Sequence, residues 1–192
     1  LLVNFQGKSE FNINIVSVDK IITKDANGNF IESNGETTYK SNVNPTMINI
    51  AISTSRTNNQ SVLDAARTIM HEYIHADIVR KLYSTSNIPA KLDFKTEYDK
   101  YGNDHGTMAS LYLQSMKEAL KEFNKKMLPN DYANYTNYYG EEPSDAFYEA
   151  LAWSGLKENN VKAWTDLTPQ QQQNINNLAA RVTQMSKTAN CP

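Results

Sequence analysis

Cysteine is nearly missing from this chain: Cys191, one residue from the end, is the only one in 192. No intrachain disulfide can form, and a zinc site built from cysteines is excluded. No apolar run is long enough to span a bilayer. Runs of Lys or Arg are absent too, and 19 basic against 21 acidic residues leave a net charge of −2, so nothing advertises a phosphate- or nucleic-acid-binding surface. The nearest thing to a basic face, Lys117, Lys121, Lys125 and Lys126, is interleaved with Glu118 and Glu122 as on a solvated helix. The chain starts at Leu1 rather than Met, which is compatible with a domain delivered from a larger secreted or effector precursor. Composition fixes neither compartment nor oligomeric state.

What is present is ordinary for a folded domain. At 40% hydrophobic and 21% charged, 192 residues suffice for one domain with a sizeable core. Phe11, Ile13 and Ile15 alternate with asparagines and Val16 in the period-2 pattern of a half-buried strand, which continues through Val18 to Ile22. Asn27-Gly28 and Asn34-Gly35 are turn dipeptides, so residues 11–40 are expected to form a hairpin or meander. Ile48, Ile50 and Ile52 alternate again, predicting a strand over 46–54.

Helical signals follow. Ser61 as N-cap, with Asp64 three residues on, opens a helix to about Tyr83, with Leu63, Ala66, Met70, Ile74 and Ile78 on one stripe. Val62, Ile69 and Tyr73 widen that stripe, so the helix is expected to lie inside the domain. A polar loop containing Pro89 is expected over Ser84–Lys91. A second helix from His105-Gly106 to about Lys126 would turn Met108, Leu111, Leu113, Met116 and Leu120 inward. Met127 to Pro143 reads as a loop crowded with Tyr132, Tyr135, Tyr138 and Tyr139. Asp145–Trp153 reads as helix closed by Gly155, and Thr168-Pro169 caps a last helix to about Lys187. Strands in 1–57 followed by helices in 58–192 indicate an α+β fold in a single domain.

The chemistry lies in His71-Glu72-Tyr73-Ile74-His75, an H-E-x-x-H pattern inside the first helix. Residues four apart stand one helical turn above each other, about 40° from eclipsed, so His71 and His75 can aim two imidazoles at one ion. Glu72, about 100° round from His71, can reach a water there without being a ligand. A catalytic zinc needs three protein ligands and an open position. Only one histidine is left in the chain, His105, and it is the leading third ligand. Glu149, on the helix Asp145–Trp153, is the acidic alternative. Asp104 and Asp64 are candidates to hold an imidazole by its other nitrogen. Any of Tyr132, Tyr135, Tyr138 or Tyr139 could donate to an oxyanion, although tyrosines in such numbers also serve packing.

The metzincin extension of H-E-x-x-H is absent, since Ile78 and Lys81 stand where its Gly and third His would be. His71-Glu72-Tyr73-Ile74-His75-Ala76, a gap of about thirty residues and then His105-Gly106 at a helix start resemble the SprT-like zinc metallopeptidases. The likeness covers roughly residues 61–115. It implies a zincin-like fold with a small N-terminal sheet packed on the metal helix, Zn2+ held by His71, His75 and His105, and Glu72 as catalytic residue. The cysteine ribbon and basic tail of DNA-associated members are missing, so that role is not carried over. The expected reaction is hydrolysis of a protein or peptide substrate: the ion polarises the carbonyl and lowers the pKa of a water toward about 7, and Glu72 takes the proton. The strand 46–54 could offer the cleft edge that pairs with an extended peptide. Two rival expectations are a zinc hydrolase of another amide, such as a cell-wall peptide, and a non-catalytic module stabilised by a four-ligand zinc.

Overall fold

A computed structural model describes residues 10–24, 28–84, 98–100, 103–157 and 161–186. Cys191 and, beyond Ser84, the loop expected to Lys91 lie outside them. The architecture is α+β, and among the described residues strands are confined to 12–53 with helices after them. Contacts group the chain into two compact units: Leu1–Thr57 with Thr68–Asp104, and Asn58–Arg67 with His105–Pro192.

Among the described residues the first unit holds the strands β1 (Asn12–Val18), β2 (Ile21–Lys24), β3 (Phe30–Ser33), β4 (Gly35–Tyr39) and β5 (Met47–Ser53). A one-turn helix α1 (Thr54–Thr57) follows, then α2 (Val62–Tyr83), which belongs to this unit from Thr68 onward. β2 and β3 form the expected antiparallel hairpin, Ile21 facing Ser33. The other three strands make a separate mixed sheet in the order β1-β5-β4. β1 runs parallel to β5, Asn12 beside Met47 and Val18 beside Ser53, while β4 runs antiparallel to it. A parallel pair needs a crossover, and the β2–β3 hairpin with β4 supplies it.

Two expectations are corrected here. Strand 46–54 is real as β5, but it is the middle strand, hydrogen bonded on both sides, and cannot be a cleft edge. β4 is the edge beside it. Nor does Asn34-Gly35 make a hairpin turn: Asn34 is a single bend between β3 and β4, and Gly35 is already in the strand.

The period-2 pattern of β5 decides what packs. Ile48, Ile50 and Ile52 are buried with Phe11 and Ala76, and Ile13, Tyr39, Tyr73 and Val79 pack around them. The sheet therefore lies on α2 through one strand face and one helix face. Each fully buried Ile or Leu contributes roughly 1.5–3 kcal/mol of transfer free energy. The helix is less apolar inside than its sequence suggests. Ile69 is exposed, whereas Arg67, Thr68, His71, Glu72 and Asp77 are buried. Asp77 is bridged by Arg80 at 2.9 Å and Lys81 at 3.0 Å. Burial pushes its pKa up, but the two cations outweigh that and hold it below the usual carboxylate range.

The second unit is helical. Ser61 Oγ accepts from Asp64 N–H at 3.1 Å as the expected cap of α2. α3 (Asp104–Leu111) and α4 (Leu113–Met127) replace the single helix expected from His105. Tyr112 leaves helical geometry at φ −121°, yet its N–H still donates to Met108 O and its carbonyl accepts from Met116 N–H, so the axis is dented rather than broken. Met108, Met116 and Leu120 are buried as predicted, while Leu111 is exposed.

The tyrosine-rich stretch is not a loop: it is α5 (Pro129–Tyr139). Proline at the first position and a left-handed Gly140 at the end (φ 71°) are the signals that bound it. α6 (Asp145–Trp153) is the core of the unit, with Phe147, Tyr148, Ala150, Leu151, Ala152 and Trp153 buried. Ser144 caps it by accepting from Phe147 N–H, and α4 and α8 pack on it. α7 (Lys162–Thr165) leads to α8 (Pro169–Ala180), which carries the full capping box of Thr168 and Gln171 and ends in a short 3-10 turn, Arg181–Gln184.

Candidate metal centre

His71 and His75 stand one turn apart on α2 with their rings 4.8 Å apart, centroid to centroid, and 74° between planes. Their Nε2 atoms face each other at 3.1 Å. Behind His75, Nδ1 lies 2.8 Å from Asp104 Oδ2. The other oxygen, Oδ1, accepts from Tyr98 OH at 2.8 Å. Burial and the Asp104 carboxylate push the Tyr98 pKa up, so the phenol stays a donor. With Nδ1 on Asp104, His75 presents its other ring nitrogen, Nε2, toward His71. This is the arrangement by which a metal-ligating histidine is oriented from outside. Asp104 thus meets the ring nitrogen of His75 that faces away from His71.

Asp104 opens α3, and the next residue is His105. The helix turn that carries Asp104 to His75 therefore carries His105 with it. One ring nitrogen from each of His71, His75 and His105 can be chosen so that all three lie within 4.8 Å of one another. Among the described residues this is the group of His, Cys, Asp and Glu side chains suited to a metal ion. His71 is buried; His75 and His105 are half-buried.

Glu72 is also buried, at 5% exposure. It meets β4. Thr37 Oγ1 donates to Glu72 Oε2 at 2.7 Å and lies 2.9 Å from its main-chain oxygen. Gly35, two residues earlier on the same strand, lies directly against the Glu72 side chain. A buried carboxylate without a hydrogen-bond donor is costly, and Thr37 supplies one.

The remaining candidates go elsewhere. Asp64 accepts from Arg67 Nε at 2.8 Å, and Arg67 Nη1 continues to Ser154 O at 2.9 Å. Glu149 is exposed on α6 and outside the histidine group. Tyr132 donates to Glu142 at 2.7 Å, and burial together with that carboxylate pushes its pKa up to about 12. Tyr135 is buried and its hydroxyl accepts from Arg181 at 2.9 Å. Tyr139 stacks on Tyr135 and under Arg181, and Tyr138 is largely exposed. These contacts explain the tyrosines as the packing face and cap of α5, and none of them supports an oxyanion role.

Sequence reasoning missed Tyr98, Thr37 and Gly35. Nothing local marks the first two, because their partners lie on other elements. Gly35 carried a signal that pointed to a turn instead. Comparison of the chain with protein-family models, curated proteins and solved structures finds no match. Among the described residues no helix is long and apolar enough to cross a membrane.

Proposed function

We propose that the protein is a zinc-dependent metallopeptidase of zincin type, akin to the SprT-like enzymes, with His71, His75 and His105 as ligands and Glu72 as general base. One observation carries the reading: two imidazole Nε2 atoms face each other at 3.1 Å, one of them braced from behind by Asp104. Tetrahedral zinc with Zn–N bonds of about 2.0–2.1 Å sets two ligand nitrogens about 3.3 Å apart. The pair already stands near that spacing, and three imidazoles are a donor set that zinc favours.

The ion, when bound, supplies a Lewis acid that polarises the scissile carbonyl and makes a nearby water more acidic. Everything else falls to the chain. Glu72, next to His71 in sequence, takes the proton of the attacking water and returns it to the departing amine. Burial of Glu72 keeps bulk water from competing for that proton. β4, the strand that ends the sheet beside Glu72, is the edge on which an extended peptide could add its backbone. Cleavage of extended peptides should exceed that of N-methylated ones; equal rates would remove β4 from substrate binding.

A zinc-stabilised binding module would close its fourth position with a protein ligand. Asp104 has one oxygen on His75 and the other on Tyr98, and Glu149 is exposed on α6, which favours the catalytic reading. The test is metal analysis of the purified chain together with Glu72→Gln in a casein-type proteolysis assay. About one zinc per chain in both proteins, with proteolysis only in the unsubstituted one, is expected. A metal-free protein, or full activity in E72Q, would overturn the proposal.

A further inference from the structure

We infer that Gly35 and Thr37, alternate residues of the edge strand β4, are positioning residues that cradle the carboxylate of Glu72; the inference rests on Glu72 being the general base proposed above. Side chains two apart on a strand point to the same face, and both of these positions meet Glu72. Thr37 contributes a bond. Its hydroxyl sits 2.7 Å from Oε2 and 2.9 Å from the main-chain oxygen of the same glutamate, so a single group ties the carboxylate to the backbone turn that bears it.

Gly35 contributes room. A Cβ there would fall 2.7 Å from Glu72 Cγ, 2.8 Å from Oε1 and 3.0 Å from Cδ. The end of the Glu72 side chain occupies the space that any other residue at 35 would fill. Backbone geometry does not explain this glycine. Among the described residues the positive-φ glycines are Gly28, Gly140 and Gly155, and Gly35 sits in ordinary strand conformation. Glycine inside a strand is unfavourable relative to alanine, and the close approach of Glu72 accounts for its presence.

Positioning of this kind matters because a general base works only at hydrogen-bond reach of the proton it removes. A displacement of about 1 Å can cost on the order of a hundredfold in rate. Thr37 fixes Oε2 while Oε1 lies over the bare backbone of Gly35, so the carboxylate is held from one strand along both edges.

The test uses T37V, T37S and G35A in the full chain. T37V should lower kcat roughly tenfold with KM within about twofold and zinc content unchanged, and T37S, which restores the hydroxyl, should recover most of the loss. G35A should lower kcat roughly a hundredfold with zinc retained, because the new methyl group displaces the carboxylate and not the backbone. A thermal cycle reads the contact without catalysis. G35A should lower Tm by about 4 °C in the unsubstituted protein and leave it unchanged or higher in an E72A background, where the methyl group has space. E72Q inactive with T37V at full kcat, or equal G35A effects on Tm in both backgrounds, would overturn the cradle alone. E72Q retaining full activity would overturn the role of Glu72 and the cradle with it. Should T37V fail to fold, the G35A cycle decides.

Discussion

Nδ1 of His75 and Oδ2 of Asp104 lie 2.8 Å apart across 29 residues of chain, and Tyr98 holds the other oxygen of the same carboxylate. A relay of phenol, carboxylate and imidazole fixes which ring nitrogen of His75 is left for an ion. Asp104 and His105 are consecutive, so one helix start supplies both the carboxylate on His75 and the third histidine of the group that could hold a metal ion.

Loss of the brace should appear in metal affinity. Asp104→Ala is expected to weaken zinc binding about 10–100-fold, measured by competition with a chromogenic chelator. Tyr98→Phe, which leaves the carboxylate in place, should cost less. Wild-type affinity in D104A would show that the carboxylate does not orient a ligand.

The third ligand can be tested by substitution. His105→Ala should sharply reduce zinc per chain, whereas Glu149→Ala on the exposed face of α6 should leave it unchanged. The reverse pattern in metal analysis would replace His105 by Glu149 and rewrite the site.

Tyr148 OH donates to Asn124 Oδ1 at 2.7 Å, with both side chains fully buried. Tyr148→Phe leaves that amide oxygen without its donor inside the helical unit. Destabilisation of about 1–3 kcal/mol is expected from the shift in urea midpoint. A shift near zero would mean that Asn124 finds another partner at little cost.

Asp131 is buried and accepts from Ser186 N–H at 3.2 Å. Burial raises its pKa and the Ser186 amide only partly offsets that. A carboxyl whose folded pKa lies above its unfolded value stabilises the fold fully below the unfolded pKa, near 3.9. That contribution is lost as pH rises through the folded value. Asp131→Asn removes the ionisation and keeps an acceptor for Ser186. The difference in Tm, variant minus wild type, should therefore become more positive from about pH 3 to pH 7. A difference independent of pH would contradict the raised pKa.

Much of the site was legible because its information is local. The i,i+4 spacing of His71 and His75 needs only a helix, and Ser61, the apolar stripe and Asp64 mark that helix plainly. The third histidine followed from there being no other. The tyrosine stretch reads as a loop because Asn and Tyr are middling helix formers, although Pro129 and Gly140 bound it as a helix. Arg67, Asp77 and Glu72 are buried on α2 because specific partners meet them, a matter no helical wheel reports.

By itself the sequence determined the order of strands before helices and the placing of His71 and His75 one turn apart on a helix, since helical and strand periodicities and caps act over a few residues. Only the tertiary structure decided which strand is the edge, because pairing order is settled by chain crossover and not by alternation of side chains. It also decided that Gly35 makes space rather than a turn and that Thr37 and Tyr98 reach the site. A hydrogen bond between residues 35 apart depends on how sheet and helix pack, and the sequence surrounding each partner carries no trace of it.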